Sequence, residues 1–204
     1  MHEIICCVST ELEGARLRAE GVPVLVTGVG PVNAACALAI YMSTQGALRV
    51  VVCGVGGAYP GSGLAVGDVV CAESEEYGDL GADSPDGFLD MQALGIPVLD
   101  GDPPLYNRMP VELFPLERRA AFVTVNTCTG SDEAARAIAA RTGGAVESME
   151  GAAFAHVARH FGVPVAEVRG ISNLVGDRDR GAWRIAEAAD AAQEALLPWL
   201  LADD

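Results

Sequence analysis

Short runs rich in valine and isoleucine alternate along this chain with alanine-rich segments of helical period. Such alternation is typical of βαβ units, in which helices cover both faces of a mostly parallel sheet. The predicted strands are 3–8, 22–28, 49–54, 67–73, 120–126 and 163–171. The predicted helices are 11–20, 31–46, 131–142, 149–161 and 181–197. The pattern therefore predicts an α/β fold.

The length of the chain limits the number of domains. Its 204 residues, half of them apolar, are enough to bury one substantial core but too few for two ordinary domains. We therefore expect a single domain over residues 1–204. Segment 74–118 differs from the rest because six prolines interrupt every pattern in it. A loop of this length in a compact domain usually serves as a lid or an interface element, and we predict one of these roles here.

The charge of the chain argues against two kinds of partner. Thirteen Lys and Arg residues against 28 Asp and Glu residues give a net charge of -15. A chain this acidic repels polyanions, so we expect neither nucleic acid nor an anionic membrane as a partner. No apolar run reaches the ~18 residues of a membrane span, and the first residues lack the basic start of a signal peptide.

Neither the cysteines nor the histidines predict a metal site. The six cysteines contain no CxxC pair, and most lie within apolar runs, which favours buried free thiols in a reducing cytoplasm. His156 and His160 have the i, i+4 spacing of two ligands on one helix. No third ligand is apparent, however, and Val157 stands where zinc peptidases have a glutamate. We therefore expect a cytoplasmic protein without a bound metal.

The glycine-rich turn at 27–33 does not predict a nucleotide cofactor. Asn33 occupies the position of the third glycine of the dinucleotide motif, and no acidic residue is well placed ~20 residues further on. No Gly-Lys-Ser/Thr sequence is present either. Gly28 and Gly30 can be ordinary turn glycines or ligand contacts, and no cofactor is expected.

Candidate site residues lie where the predicted strands end, because ligands of α/β sheets bind at the carboxyl ends of the strands. Segments 9–13, 54–57 and 172–173 follow strands, and segment 147–150 precedes a helix. Glycines at 54–57 would let a ligand approach the backbone closely, although a tight turn explains them equally well.

Two glutamates in these segments are candidates for chemistry. Glu150 lies among apolar residues, where a carboxylate needs a partner to offset its desolvation. Alternatively, it is only a favourable charge at the start of a helix. Glu13 is either a functional carboxylate or part of the exposed face of the first helix.

Four segments, taken together and in their order along the chain, resemble the nucleoside phosphorylase/nucleosidase superfamily. SMEGAA at 148–153 resembles the segment whose Glu holds the ribose hydroxyls, and VRGISN at 168–173 resembles the strand whose last residue addresses the purine. TELE at 10–13 resembles the turn whose last Glu activates water in methylthioadenosine/S-adenosylhomocysteine nucleosidases. GVGGA at 54–58 resembles the glycine turn beneath the ribosyl group. The resemblance covers nearly the whole chain except 85–118.

The resemblance implies a fold and a set of roles. The fold would be a single-domain, three-layer αβα arrangement around a mostly parallel, mixed sheet, in a chain that forms at least a homodimer. Glu13, Glu150 and Asn173 would be catalytic, with water as the nucleophile. The residues implied to bind the substrate are Val55, Gly56, Gly57, Cys128, Thr129, Met149, Arg178, Arg180 and Trp183.

Asn173 departs from the adenine-cleaving members, which have Asp at this position. A 6-oxopurine presents acceptors at both N7 and O6, which suits the amide NH2 group of Asn as donor. The chain is therefore expected to act on hypoxanthine or guanine nucleosides.

Segments 77–82, 85–88 and 176–183 are similar to those of futalosine hydrolases. Futalosine is an inosine derivative with a carboxylated aromatic group at its 5′ end. The similarity implies hydrolysis of its N-glycosidic bond, in menaquinone biosynthesis, to hypoxanthine and dehypoxanthine futalosine. Arg178 or Arg180 would bind the carboxylate, unless both pair with Asp177 and Asp179 on a solvated loop.

Three other functions are left open by the sequence. An adenine-directed nucleosidase is disfavoured by Asn173. A purine nucleoside phosphorylase would need cations around phosphate, and the turn at Gly54 carries none while the first turn carries Glu11 and Glu13. A nucleoside-binding module without activity would have no need of both Glu13 and Glu150.

Overall fold

The structure is a computed structural model that describes residues 2–202, without the side chain of His2. The strands in chain order are β1 (His2–Val8), β2 (Val24–Val26), β3 (Ala47–Ala58), β4 (Val69–Tyr77), β5 (Gly81–Ser84), β6 (Gly87–Asp90), β7 (Arg108–Pro110), β8 (Arg119–Thr124), β9 (Val146–Ser148) and β10 (Val165–Leu174). The helices are α1 (Glu11–Ala19), α2 (Pro31–Thr44), α3 (Met91–Leu94), α4 (Asp132–Thr142), α5 (Gly151–Phe161) and α6 (Ile185–Leu200), with a short 3₁₀ helix at Arg180–Ala182.

The central sheet is mixed and mostly parallel. Its strand order is β10-β4-β8-β9-β3-β1-β2, with β7 paired to β4. Parallel pairs join β1 to β2 and β3, β10 to β3, and β8 to β4 and β9. Antiparallel pairs join β10 to β4, β3 to β9, and β4 to β7. Because β10 pairs with both β3 and β4, the strands β3, β10, β4, β8 and β9 form a closed ring.

Alternation along the central strands divides the core between two faces. In β1, Ile5 and Cys7 face the cluster that contains Leu38 of α2 and Phe154 of α5. Cys6 and Val8 point the other way, into the cluster that contains Leu17 of α1 and Leu196 of α6. Since successive strand side chains alternate between faces, an unbroken apolar run marks a strand buried on both sides. The predicted three-layer αβα fold is confirmed.

The predicted strands and helices are present, with shifted ends. The predicted loop at 74–118 is wrong over much of its length, because β4 continues to Tyr77 and a hairpin of β5 and β6 follows it. The chain then returns through α3 and β7, whose three residues pair with β4. These strands have three or four residues each, too few to show a period in the sequence.

The cysteines are free, as expected, but not all are buried. Cys6, Cys7, Cys53 and Cys71 are buried within the sheet, whereas Cys36 is exposed on α2 and Cys128 is half-buried. Within residues 2–202, no helix combines the length and the apolar character that crossing a membrane requires.

Candidate active site

A cleft of about 820 Å³, its open mouth included, lies at the carboxyl ends of β1, β3 and β10. The sequence-predicted residues that line it are Glu13, Val55, Gly56, Gly57, Cys128, Met149, Glu150, Asn173 and Trp183. Thr129, Arg178 and Arg180 are not among the lining residues. Residues distant in the sequence thus meet at one end of the sheet, as the strand-end rule predicts.

Glu13 lies in the first turn of α1 but is buried, with 4% of its surface exposed. Its Oε2 accepts hydrogen bonds from the backbone N–H of Thr10 at 2.9 Å and from the Thr10 hydroxyl at 2.8 Å. Its Oε1 accepts one from the backbone N–H of Val55 at 3.0 Å. The alternative of an exposed helix face is therefore wrong, and the carboxylate is fixed at the cleft floor.

Gly54 is required between Glu13 and a buried arginine. A Cβ at this position would lie 2.7 Å from Oε1 of Glu13 and 2.6 Å from Nη1 of Arg169. Such contacts are closer than real Cβ atoms make. The missing side chain therefore lets a carboxylate and a guanidinium approach the same point of the backbone.

Glu150 is the N-cap residue of α5, but its side chain does not cap that helix. Its Oε1 accepts a hydrogen bond from the backbone N–H of Gly30 at 2.9 Å. Its Oε2 lies 3.5 Å from both Nη1 and Nη2 of Arg169. Glu150 is 4% exposed. It is therefore a buried carboxylate with partners on two other elements, and more than a favourable charge at a helix start.

Arg169 also lines the cleft, although the sequence did not predict it as a site residue. It is 1% exposed in the middle of β10. Its Nε donates to Oε1 of Glu167 at 2.7 Å, and its Nη1 donates to the carbonyl of Val55 at 3.1 Å. Burial alone disfavours the guanidinium, but the charges of Glu167, Glu150 and Glu13 outweigh it and raise the pKa of Arg169 above its ordinary value. An Arg inside an apolar strand was the signal that could have revealed it.

The cleft is negatively charged. Its lining within the described residues contains three carboxylates, Glu13, Glu147 and Glu150, and one cation, Arg169. That cation is already paired with Glu167 and Glu150. An arrangement of this kind stabilises a cationic transition state and repels an anion such as phosphate.

Asn173 lies near the end of β10 and is half-buried. The Ser172 hydroxyl donates to its Oδ1 at 2.8 Å, and its Nδ2 donates to the carbonyl of Leu174 at 3.1 Å. An amide NH2 group has two hydrogens, so one N–H remains for a ligand in the cleft. Ser172 thereby orients the amide with its donor side available.

Thr129, predicted to bind the substrate, contacts a carboxylate of the cleft lining, Glu147. Its backbone N–H donates to Oε1 of Glu147 at 2.9 Å, and its hydroxyl donates to Oε2 of the same carboxylate. The hydroxyl of Tyr59 donates to that Oε2 as well, at 2.7 Å. Burial, and then the charge of Glu147, raise the pKa of Tyr59. Thr129 therefore holds the buried carboxylate of Glu147, which lines the cleft.

The two arginines of the 176–183 segment are placed differently. The guanidinium of Arg178 lies over the ring of Trp183, 5.1 Å from its centroid. Arg178 also interacts with the thiol of Cys128, where it opposes the larger effect of burial, which raises the pKa of that thiol. Trp183 and Cys128 both line the cleft, so Arg178 lies at its rim. Arg180 lies on the 3₁₀ helix, and both arginines are exposed.

Two other predictions concern residues away from this cleft. Nδ1 of His156 lies 3.2 Å from the Tyr77 hydroxyl, and the ring of His160 packs edge-on against Phe161. Over the described part of the chain, no group of three His, Cys, Asp or Glu side chains could hold a metal ion. No residue of 74–118 lines the cleft of the described chain. The lid role predicted for that segment is therefore not seen within one chain.

Comparisons with known proteins show the family of the chain. Residues 9–197 match the family model of the phosphorylase superfamily. The chain is 36% identical to the futalosine hydrolase of Thermus thermophilus, over 88% of this chain and 81% of the relative. It is 38% identical to the futalosine hydrolase of Streptomyces coelicolor, over 87% of this chain and 77% of the relative.

Solved structures share the fold at low sequence identity. A futalosine hydrolase mutant of Helicobacter pylori has a TM-score of 0.81 and 16% identity, and the match covers 100% of both chains. A methylthioadenosine/S-adenosylhomocysteine nucleosidase of Neisseria meningitidis, in complex with methylthio-immucillin-A, has a TM-score of 0.81 and 19% identity over 99% of this chain and 100% of that chain.

Proposed function

The chain belongs to the phosphorylase superfamily and, within it, to the futalosine hydrolase family, and from that premise we propose that it hydrolyses the N-glycosidic bond of futalosine. The products are hypoxanthine and dehypoxanthine futalosine, and the reaction is a step of menaquinone biosynthesis. The observation that carries the proposal is the cleft itself, in which Glu13 and Glu150 are buried and the one lining cation of the described chain is already paired.

Cleavage of a C1′–N9 bond passes through an oxocarbenium-like state, in which the ribosyl group is positive and the base becomes negative. Glu13 would orient a water molecule and take its proton. Glu150 would bind the ribose hydroxyls, and its charge would favour the ribosyl cation. Asn173 would donate its remaining amide N–H to the departing hypoxanthine. Each role uses a group that lines the cleft.

Water is favoured over phosphate as the nucleophile by the charge around the reacting position. Phosphate is held by cations or by free N–H groups. The N–H of Val55 already donates to Glu13, and Arg169 is shared between Glu167 and Glu150. These contacts support a hydrolase and argue against a phosphorylase.

The decisive assay compares futalosine, inosine and methylthioadenosine side by side, with and without phosphate. We expect hypoxanthine from futalosine at the same rate in both buffers. Release that depends on phosphate would identify a phosphorylase, and preference for methylthioadenosine would identify an adenine-directed nucleosidase. No release from any nucleoside would support a binding module.

Asn173→Asp should lower the rate of hypoxanthine release by about tenfold or more, the scale of a lost hydrogen bond plus a repelled lone pair. An ionised Asp has no amide donor and faces the acceptors of the 6-oxopurine. The measurement is kcat/KM on futalosine, with Ser172→Ala as the companion that frees the amide without removing it. Wild-type cleavage by Asn173→Asp would show that Asn173 does not select the base.

Arg178 is proposed to bind the aromatic carboxylate of futalosine from the rim of the cleft. Arg178→Ala should reduce kcat/KM on futalosine about tenfold to a hundredfold, the equivalent of ~1.5–3 kcal/mol for a hydrogen bond to a charged group. Inosine, which lacks the carboxylate, should be cleaved equally by variant and wild type.

Arg180→Ala is the matched control, since it removes the same charge from an exposed position of the same segment. It should leave the rates on both substrates within about twofold of the wild type, the usual range for an exposed substitution. Equal losses on futalosine and inosine in Arg178→Ala would indicate structural damage. No loss on either substrate would mean that Arg178 is a solvated loop residue that does not bind the carboxylate.

We also propose that residues 1–204 form one domain in a cytoplasmic homodimer or higher oligomer. The apolar side chains exposed on and beside α2 support association, since Val29, Val32 and Ile40 are 51%, 71% and 66% exposed in the single chain. Clusters of such residues mark interaction surfaces. The strongly negative charge supports the absence of nucleic acid and membrane partners.

A further inference from the structure

Two glutamates outside the cleft lining meet beneath the first residue of α5. Glu75 on β4 and Glu167 on β10 are 0% and 1% exposed. A Cβ on Gly151 would lie 2.0 Å from Oε1 of Glu75 and 2.4 Å from Oε2 of Glu167. The two carboxyl groups therefore converge on the same point, and only glycine leaves room for them there.

The hydrogen bonds of this pair leave two oxygens facing each other. Oε2 of Glu75 accepts from the Thr124 hydroxyl at 2.9 Å, and that hydroxyl accepts from the backbone N–H of Ala152 at 2.8 Å. Oε1 of Glu167 accepts from Nε of Arg169 at 2.7 Å. Within residues 2–202, no N–H or O–H donor reaches Oε1 of Glu75.

Two ionised carboxylates cannot share such a position without a large cost. Burial, and then the charge of Glu167, raise the pKa of Glu75 well above its ordinary value. A proton on Glu75 would let its Oε1 donate to Oε2 of Glu167. The orphaned oxygen of Glu75 would then have a partner.

The pair is linked to the cleft through Arg169. That guanidinium lies 2.7 Å from Glu167 but 3.5 Å from Glu150. If the pair carried no charge, the nearest carboxylate that could attract Arg169 would be Glu150, which the proposed function assigns to the ribose hydroxyls. A closer pair between Arg169 and Glu150 would take that carboxylate away from the sugar.

We propose that Glu75 and Glu167 hold one proton between them, and that the single negative charge left on the pair keeps Arg169 away from Glu150. Glu75 and Glu167 are thus positioning residues, which act through Arg169 and do not touch the substrate. The shared proton does not depend on the proposed function, whereas its effect on catalysis rests on it.

The first test measures the proton through stability and needs no substrate. The unfolded chain ionises a glutamate near pH ~4.3, so above that pH folding must take up one proton for the pair. Between pH 6 and pH 8, the unfolding constant of the wild type should therefore rise relative to that of Glu75→Gln, by about tenfold per pH unit. The amide introduced by this substitution donates to Glu167 without binding a proton.

Glu76→Gln is the matched control on the same strand, because Glu76 pairs with Arg108 and its carboxylate is not shared with another acid. The ratio of its unfolding constant to that of the wild type should not change between pH 6 and pH 8. Protein concentration is held fixed, since association shifts apparent stability. If the ratio of unfolding constants between the wild type and Glu75→Gln is also independent of pH, the shared proton is overturned.

Groups facing the pair from the packed elements are unchanged in this comparison. They are Arg169 of β10, Tyr77 of β4, Cys53 of β3, and Glu13 and Glu150 behind Arg169. Should Glu75→Gln fail to fold, infrared spectroscopy of the wild type decides. The C=O stretch of a protonated carboxylic acid should persist at pH 8, and its absence would contradict the proposal.

The second test measures the effect on the cleft. Each single change, Glu75→Gln or Glu167→Gln, leaves one carboxylate to carry the charge, whereas the double change leaves none. The double variant should therefore lose on the order of thirtyfold more kcat/KM on futalosine than the product of the single losses, within the range of coupling between residues of one network.

Purely multiplicative losses would overturn the positioning role while leaving the stability result as it stands. Glu76→Gln should retain wild-type activity. A wild-type protein without activity on futalosine would instead overturn the proposed function. The pH dependence of stability would still decide whether the proton is shared, so the two failures are distinguishable.

Discussion

Glu13→Gln should reduce kcat on futalosine by about a hundredfold or more, the usual scale for loss of a general base. Amide and carboxylate have nearly the same shape, but only the carboxylate can take a proton from water. The buried position of Glu13, with Thr10 and Val55 as hydrogen-bond partners, fixes the carboxylate toward the cleft. The measurement is kcat and KM on futalosine at constant pH.

Binding and folding are the controls for this variant. The amide oxygen of the substituted side chain can still accept from either Thr10 or Val55, although one of these contacts is lost. We expect KM to remain within about threefold and the melting temperature to drop by only a few degrees. Glu11→Gln, on the exposed side of the same turn, should change neither rate nor stability. Turnover of Glu13→Gln within about threefold of the wild type would exclude Glu13 as the base.

The layers of the fold could be predicted because their signals are long and repeated. The apolar runs that form β1, β3 and β10 contribute side chains to both faces of the sheet. Both faces are buried, so nearly every residue of such a run is apolar, and the run is recognisable in the sequence. β9 has only three residues, Val146–Ser148, and it forms because β3 and β8 lie on either side of it. No local pattern predicts such a strand, because it is short and its partner strands are distant in the sequence.

The candidate site could be predicted as far as strand ends and family motifs reach. Strand ends and family motifs both indicate Glu13, Glu150 and Asn173, and these three residues line one cleft. Arg169 was not indicated, although it lies within one of the motifs. Glu167 lies two residues from Arg169 on the same strand, but the contact of Arg169 with Glu150 depends on how another segment packs, which the sequence does not show.

Contacts of Thr129, Glu75 and Glu167 could not be predicted, because they depend on residues that only the fold brings together. Thr129 directly follows Cys128, a residue that lines the cleft. Its hydroxyl donates to the buried carboxylate of Glu147 and is therefore not available to a ligand. The buried pair Glu75 and Glu167 was not anticipated either. Glu167 has a charged partner two residues along the same strand, Arg169, but nothing in the sequence links Glu167 to Glu75. The pairing of β4 with β10 brings the two glutamates together.

Glu150→Gln should weaken both binding and rate, and kcat/KM on futalosine should fall by about a hundredfold or more. A carboxylate that accepts hydrogen bonds from ribose hydroxyls binds more tightly as the ribosyl group becomes positive, so its charge acts chiefly in the transition state. The amide that replaces this carboxylate is neutral. It would also bring an NH2 group toward either the N–H of Gly30 or the guanidinium of Arg169, both of which are donors.

The response to 2′-deoxy substrates separates this role from structural damage. The wild type should cleave a 2′-deoxy analogue much more slowly than the ribonucleoside, because one partner of Glu150 is missing. In Glu150→Gln that difference should shrink to within about threefold, since the charge that recognised the hydroxyl is already gone. If the variant discriminates against the deoxy analogue as strongly as the wild type does, the hydroxyl is bound elsewhere. Glu150 would then serve only to hold Arg169 and the turn at Gly30.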